Sequence, residues 1–138
     1  MRRLAMILSA AALVSCASAR TVKDYTTSGQ PTANRLILTV DSIDFRKDLT
    51  RVYGKITGRP NTSDRFDRIT LVKPDGVMVE STDIDGVDME RWFQWEEDGR
   101  INLEIDFPAM KATDKLIIKT FGPKGDGNWT VSREAVHH

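Results

Sequence analysis

The sequence predicts an all-β fold in which two antiparallel sheets pack face to face as a sandwich. Three observations carry that reading. Turn residues punctuate the chain every ten residues or so from Arg35 to Arg133, the spacing of many short strands. Between the turns, apolar side chains recur with a period of two, most plainly at Ile101, Leu103, Ile105 and Phe107, which alternate with Asn102, Glu104 and Asp106. Such alternation gives a strand one buried face and one wet face. Little of the remaining sequence keeps a helical period.

Arg35 to Phe45 is the first expected strand. Leu36, Leu38 and Val40 share one face, then Ile43 and Phe45 take the opposite parity. A period of two changes phase only through an extra residue, so a bulge or bend is expected near Asp41-Ser42. Arg46 to Thr50 turns the chain, and Arg51 to Thr57 returns with Val52, Gly54 and Ile56 on one side. Gly58 to Arg65 is a polar loop containing Pro60. Phe66 to Lys73 and Val77 to Thr82 form a hairpin about Pro74-Asp75-Gly76, because proline presets φ and glycine accepts positive φ. Asp83 to Met89 is acidic and irregular, and Asp88 to Trp92 is expected as one helical turn capped by Asp88. Trp92 to Glu96 reads as a strand, joined through an Asp98-Gly99 hairpin turn to the alternating strand at Ile101. Pro108 to Asp114 crosses over. Lys115 to Phe121 follows, with a Leu116-Ile117-Ile118 run suggesting burial on both sides. Gly122 to Asn128 is a glycine-rich loop and Trp129 to Arg133 the closing strand.

Eight short strands with hairpins and longer crossings over about 100 residues fit an immunoglobulin-like sandwich, although the Cys-Trp-Cys core of true immunoglobulin domains is absent. The alternative is a small OB-type β-barrel. Trp92 to Phe121 resembles the second half of bacterial periplasmic OB-fold proteins: an aromatic strand, an Asp-Gly turn, then an acidic alternating strand.

The amino terminus places the protein. Arg2 and Arg3 precede an apolar run, Leu4 to Val14, of 11 residues. A bilayer needs roughly 20 apolar residues, so this run has the length of a secretion signal. Leu13-Val14-Ser15-Cys16 resembles the lipobox of bacterial lipoproteins. That resemblance implies a diacylglyceryl thioether on Cys16 and an acylated amino terminus, an anchor held by several acyl chains. It divides the chain into a signal peptide at 1–15, a lipid anchor and flexible tether at 16–34, a sandwich at 35–134 and a disordered tail at 135–138 carrying His137 and His138. Ala17 and not Asp after the cysteine implies, by analogy with lipoprotein sorting, the outer membrane, and the lack of an acidic cluster in Ala17 to Lys23 points to a periplasm-facing protein. The alternative is cleavage at Ala17-Ser18-Ala19, which would release a secreted or periplasmic chain beginning at Arg20.

The full chain has 20 basic and 20 acidic residues. That balance suggests neither nucleic acid nor an anionic lipid surface as partner, since both need a concentrated basic face. Cys16 is the only cysteine, so packing alone must hold the body. The histidines sit at the tail, no nucleophile-base pair stands out, and no glycine loop opens a helix; a non-catalytic protein is expected. No cofactor is expected, with calcium the one candidate. Asp83, Asp85, Asp88 and Glu90 surround Gly86, and alternating carboxylates about a glycine can wrap that ion, although the EF-hand spacing fails. Trp92 and Gln94 should point away from Phe93 and Trp95, leaving Trp92 as an exposed platform beside amides and carboxylates. The first expectation is a lipid-anchored envelope protein whose sandwich binds another envelope protein, through the loops Gly58 to Arg65, Asp83 to Met89 and Gly122 to Asn128. The alternative is a carbohydrate-binding accessory using Trp92, Gln94 and the Asp83 to Asp88 loop, since flat indoles stack on sugar rings.

Overall fold

The structure is a computed structural model in which residues 19–134 are described. Cys16, the leader before it and the 135–138 tail with its two histidines lie outside the described residues. Among the described residues there is no helix. Twelve strands follow in order: β1 (Arg20–Lys23), β2 (Thr26–Ser28), β3 (Ile37–Phe45), β4 (Leu49–Thr57), β5 (Ser63–Asp64), β6 (Arg68–Val72), β7 (Met78–Glu80), β8 (Asp83–Asp85), β9 (Phe93–Gln94), β10 (Arg100–Pro108), β11 (Lys115–Phe121) and β12 (Gly127–Ser132). Ten of them form two five-stranded sheets, ordered β1-β3-β4-β10-β8 and β2-β12-β11-β6-β7, and β5 with β9 makes a separate ribbon. Every pairing is antiparallel.

The sheets enclose one core. Leu38, Val40, Ile43, Val52, Ile56, Leu103, Ile105 and Phe107 from the first sheet meet Ile69, Leu71, Leu116, Ile118, Trp129 and Val131 from the second. The buried Trp129 indole donates to Thr120 Oγ1 at 3.1 Å. The two sheets remain separate ladders, so the architecture is a sandwich and the barrel alternative falls. Its likeness to an immunoglobulin domain lies in the architecture.

The parity change in the first long strand is a bulge: the register of β3 on β4 shifts between Val40 and Ser42. Gly54 pairs with Val40, and a Cβ there would run into the Thr39 carbonyl oxygen. Glycine at that position lets the bulged strand lie close to its partner.

Residues 20–28, expected within a flexible tether, are instead part of the body. β1 pairs with β3 in the first sheet and β2 with β12 in the second. The chain changes sheets at Asp24-Tyr25, with Asp24 at φ 66°. Tyr25 is buried, and its hydroxyl donates to the Thr113 carbonyl at 2.6 Å. Thr27 Oγ1 accepts from the Val40 amide at 2.8 Å, tying the second sheet to the bulge of the first. The tight turn at Thr32–Leu36 is closed by Thr32 N to Leu36 O at 3.1 Å and Leu36 N to Thr32 Oγ1 at 3.0 Å. The sandwich therefore begins at Arg20.

Four smaller expectations also change. Asp83–Asp85 is a strand on β10 with Ile84 packed on the core, not an irregular loop. The expected helical turn from Asp88 is a non-helical turn at Met89-Glu90, with Glu90 at φ 59° and its amide donating to the Phe66 carbonyl at 2.7 Å. Asp98-Gly99 is a turn without a hairpin, because β9 pairs with β5 while β10 pairs with β4 and β8. In β11, Leu116 and Ile118 are buried but Ile117 only half so; its burial is one-sided.

The sandwich has two ends. At one end the start of β1, the β3–β4 turn, the β6–β7 turn and the β10–β11 loop come together. At the other lie β5, β9, the segment before β9 and the β11–β12 loop. β10 has nine residues, so the ends stand about 27 Å apart at about 3.4 Å per residue. The four outermost strands, β1, β8, β2 and β7, are only four, three, three and three residues long.

Candidate functional site

The far end is organised around Trp92, which is 52% exposed. Its position is fixed on both sides in the chain. Upstream, the Glu90 amide is held by the Phe66 carbonyl at 2.7 Å. Downstream, Phe93 and Gln94 pair with Asp64 and Ser63. Phe93, the next residue, sits 5.9 Å from Phe66 and 5.3 Å edge-on from the buried Trp95, which anchors the chain just after Trp92. Two loops then close on its ring. The Arg65 guanidinium lies 5.8 Å and the Lys124 ammonium 5.5 Å from the ring centroid, within the range of cation–π attraction. Arg65 is oriented by Asp67, whose Oδ1 accepts from its Nε at 2.6 Å. The Gly122 backbone lies against the Arg65 carbonyl so closely that a side chain there has no room. The loops expected at Gly58 to Arg65 and Gly122 to Asn128 thus meet on the aromatic residue that the sequence singled out.

The outer face of the first sheet carries a second arrangement. Thr21, Asp44, Arg51, Asp106 and Asp83 pair in one row across all five strands. Arg51 forks onto Asp106 at 2.7 and 2.9 Å. Asp44 accepts from Thr21 at 2.7 Å, Tyr53 at 3.0 Å and Arg46 at 3.2 Å. Donated bonds favour the ionised form. The Arg51 fork holds the Asp106 carboxyl below the usual carboxylate range. Thr21, with Arg46 and Tyr53, does the same for Asp44. Their partners Arg51 and Arg46 are pushed up. A general acid or base near neutral pH needs a carboxyl raised toward 7. These groups are tuned the opposite way, toward permanent charge.

The remaining candidates do not converge. Gln94 is exposed on β9 beside a groove lined by Glu96, Glu97, Asp98 and Arg100. Asp85 lies in a different groove with Asp41, Tyr53, Asn102 and Glu104. Asp83 Oδ1 is turned to the Ile84 amide at 2.9 Å. Asp88 and Glu90 follow Gly86 in the irregular segment and turn beyond β8. Among the described residues no three carboxylates come together to hold a metal ion, so Asp83, Asp85, Asp88 and Glu90 are not assembled as a calcium site. The strand at Asp83–Asp85 is the reason, since it spaces its carboxylates along the sheet surface instead of wrapping them.

Arg65 and Lys124 were not singled out by sequence. They stand 27 and 32 positions from Trp92, and only the meeting of two loops gives them a role. Trp95, also unmarked as polar, is fully buried, and its indole N–H has no acceptor among the described residues. Comparison with protein-family models, with curated proteins and with solved structures finds no match to this chain.

Proposed function

We propose that this chain is a lipid-anchored protein of the bacterial cell envelope, held through Cys16 and facing the periplasm from the outer membrane. Its β-sandwich acts as a non-catalytic module that binds another envelope protein. The observation that carries this reading is the placement of Trp92. A half-exposed indole, braced by Arg65 and Lys124 from two loops, stands at the end opposite the chain's entry into the fold. Tryptophan and arginine are the residue types that dominate protein–protein hot spots. The backbone on either side of Trp92 is held by the Glu90–Phe66 bond and the β5–β9 pairing, which reduces the ordering cost of using the ring. The ion-paired carboxylates of the first sheet add support, because their lowered pKa values suit a fixed charge pattern and not proton transfer.

Carbohydrate binding is the second reading, favoured by the same exposed ring with cationic donors beside it. A glycan platform usually presents several coplanar aromatics. Trp92 is the only large aromatic exposed among the described residues, so the protein-binding reading ranks first. The test is a photoreactive residue at position 92 in intact cells, with a second at Lys55 on the outer sheet face as control. A discrete protein crosslink from 92 alone is expected, abolished by Arg65→Glu with Lys124→Glu. Equal labelling from both positions would refute the assignment. Saturable quenching of Trp92 fluorescence by oligosaccharides without a protein crosslink would select the second reading.

A further inference from the structure

The full-chain charge balance hides a segregated surface. At the end where the chain enters the fold, a groove of about 530 Å³ is lined by Arg20, Arg46, Lys47 and Lys111 with Ala109, Met110 and Ala112, and by no acid. These cations come from three separated segments: the start of β1, the β3–β4 turn and the β10–β11 loop. Lys73 and Pro74 of the β6–β7 turn border the same loop at Met110 and Lys111. Val77 at the end of that turn and Met78 at the start of β7 are exposed at 50% and 58%. Asp44 is turned onto the outer sheet face, bound by Thr21, Tyr53 and Arg46. Asp75 lines the adjoining groove, with its Oδ1 accepting from the Val77 amide at 2.9 Å, and Asp48 lies within the β3–β4 turn.

We infer that this end is a docking surface for a bilayer containing anionic phospholipid. The inference rests on the proposed lipid anchor at Cys16. Arg20 is four residues beyond that cysteine, and four residues span at most about 14 Å. A tether of 18 residues would let the body turn any face to the membrane. A body that begins at Arg20 has no such freedom, so the Arg20 end stays within one short leash of the headgroups. Basic side chains with small apolar tips, held at that height, meet the negative surface potential and the apolar margin together. Trp92, about 27 Å away at the other end, is then directed outward.

Each cation near an anionic surface strengthens partition about fivefold. The first experiment uses the chain as purified with its acyl groups, placed in vesicles of phosphatidylcholine alone or with phosphatidylglycerol. Amide hydrogen exchange at residues 46–48 and 109–112 should slow only with phosphatidylglycerol, and the slowing should vanish at high salt and in Arg20→Glu/Lys111→Glu. Identical exchange in both vesicles would overturn the docking surface. The mass of the amino-terminal peptide reports separately whether Cys16 carries lipid. A second arm needs no anchor: residues 16–138, which contain every described strand, with Cys16→Ser. This form should sediment with phosphatidylglycerol vesicles at least about tenfold more than Arg20→Glu/Lys111→Glu does, with unchanged thermal unfolding of both. Sedimentation independent of phosphatidylglycerol, or equal in the two, refutes the inference even where Cys16 proves acylated.

Discussion

Whether residues 20–28 are tether or structure can be decided at one side chain, Tyr25. It is 7% exposed, wedged where the chain passes from one sheet to the other. A tyrosine buries on the order of 150–250 Å². Truncation to alanine forfeits about 120 Å² of apolar burial, about 3 kcal/mol at about 25 cal/mol per Å². Its bond to the Thr113 carbonyl adds about 1 kcal/mol. Tyr25→Ala should therefore cost about 4 kcal/mol and Tyr25→Phe about 1 kcal/mol. Urea unfolding followed by fluorescence of the fully buried Trp95 and Trp129 measures both. A second readout uses pH. Burial, reinforced by the nearby Asp114 carboxylate, pushes the Tyr25 phenol from 10 up to about 12. A group raised in the folded state contributes stability that is complete below its unfolded value. The parent should lose that contribution between pH 10 and about 12, and Tyr25→Phe should lack that part of the fall. Tyr25→Ala within about 0.5 kcal/mol of the parent, the range of an ordinary surface change, would refute the placement and restore the tether.

Two further outcomes test the first sheet. Asp44 and Asp106 are depressed in the folded state, so their contribution is present above pH about 4 and is lost as pH falls through the folded values; Asp106→Asn should flatten the acid limb of the stability curve, and a limb parallel to the parent's would contradict the Arg51 fork. Gly54→Ala drives a methyl into the Thr39 carbonyl and should lower stability by about 1–3 kcal/mol in urea unfolding. An unchanged midpoint would mean that the bulge is looser than described.

The sequence was readable where one face of a strand is apolar and the other polar. The phase change at Asp41-Ser42 located the bulge, and the run from Ile101 to Phe107 located β10. It was unreadable where a strand is short and at an edge. β1 needs one inward residue, Val22, and β2 sits among threonine, serine and glycine. A three-residue strand such as Asp83-Ile84-Asp85 offers a single apolar position, and its carboxylates resemble a loop. Trp92 was legible because its parity opposes that of Phe93 and Trp95. Arg65 and Lys124 were not, since no local pattern reports which distant loops share an end. The basic groove was hidden for the same reason: a balanced total says nothing about where tertiary structure gathers its cations.

The short outer strands have a consequence for crowding. Proteins fixed to a membrane by one end share an orientation and reach high local density, which brings like edges alongside one another. A long exposed edge would then offer a ready template for association between copies. Here each edge presents only three or four residues: β1 with Arg20 and Lys23, β8 with Asp83 and Asp85, β7 with Glu80, and the uncharged β2. A border that short gives a second copy little backbone to pair with.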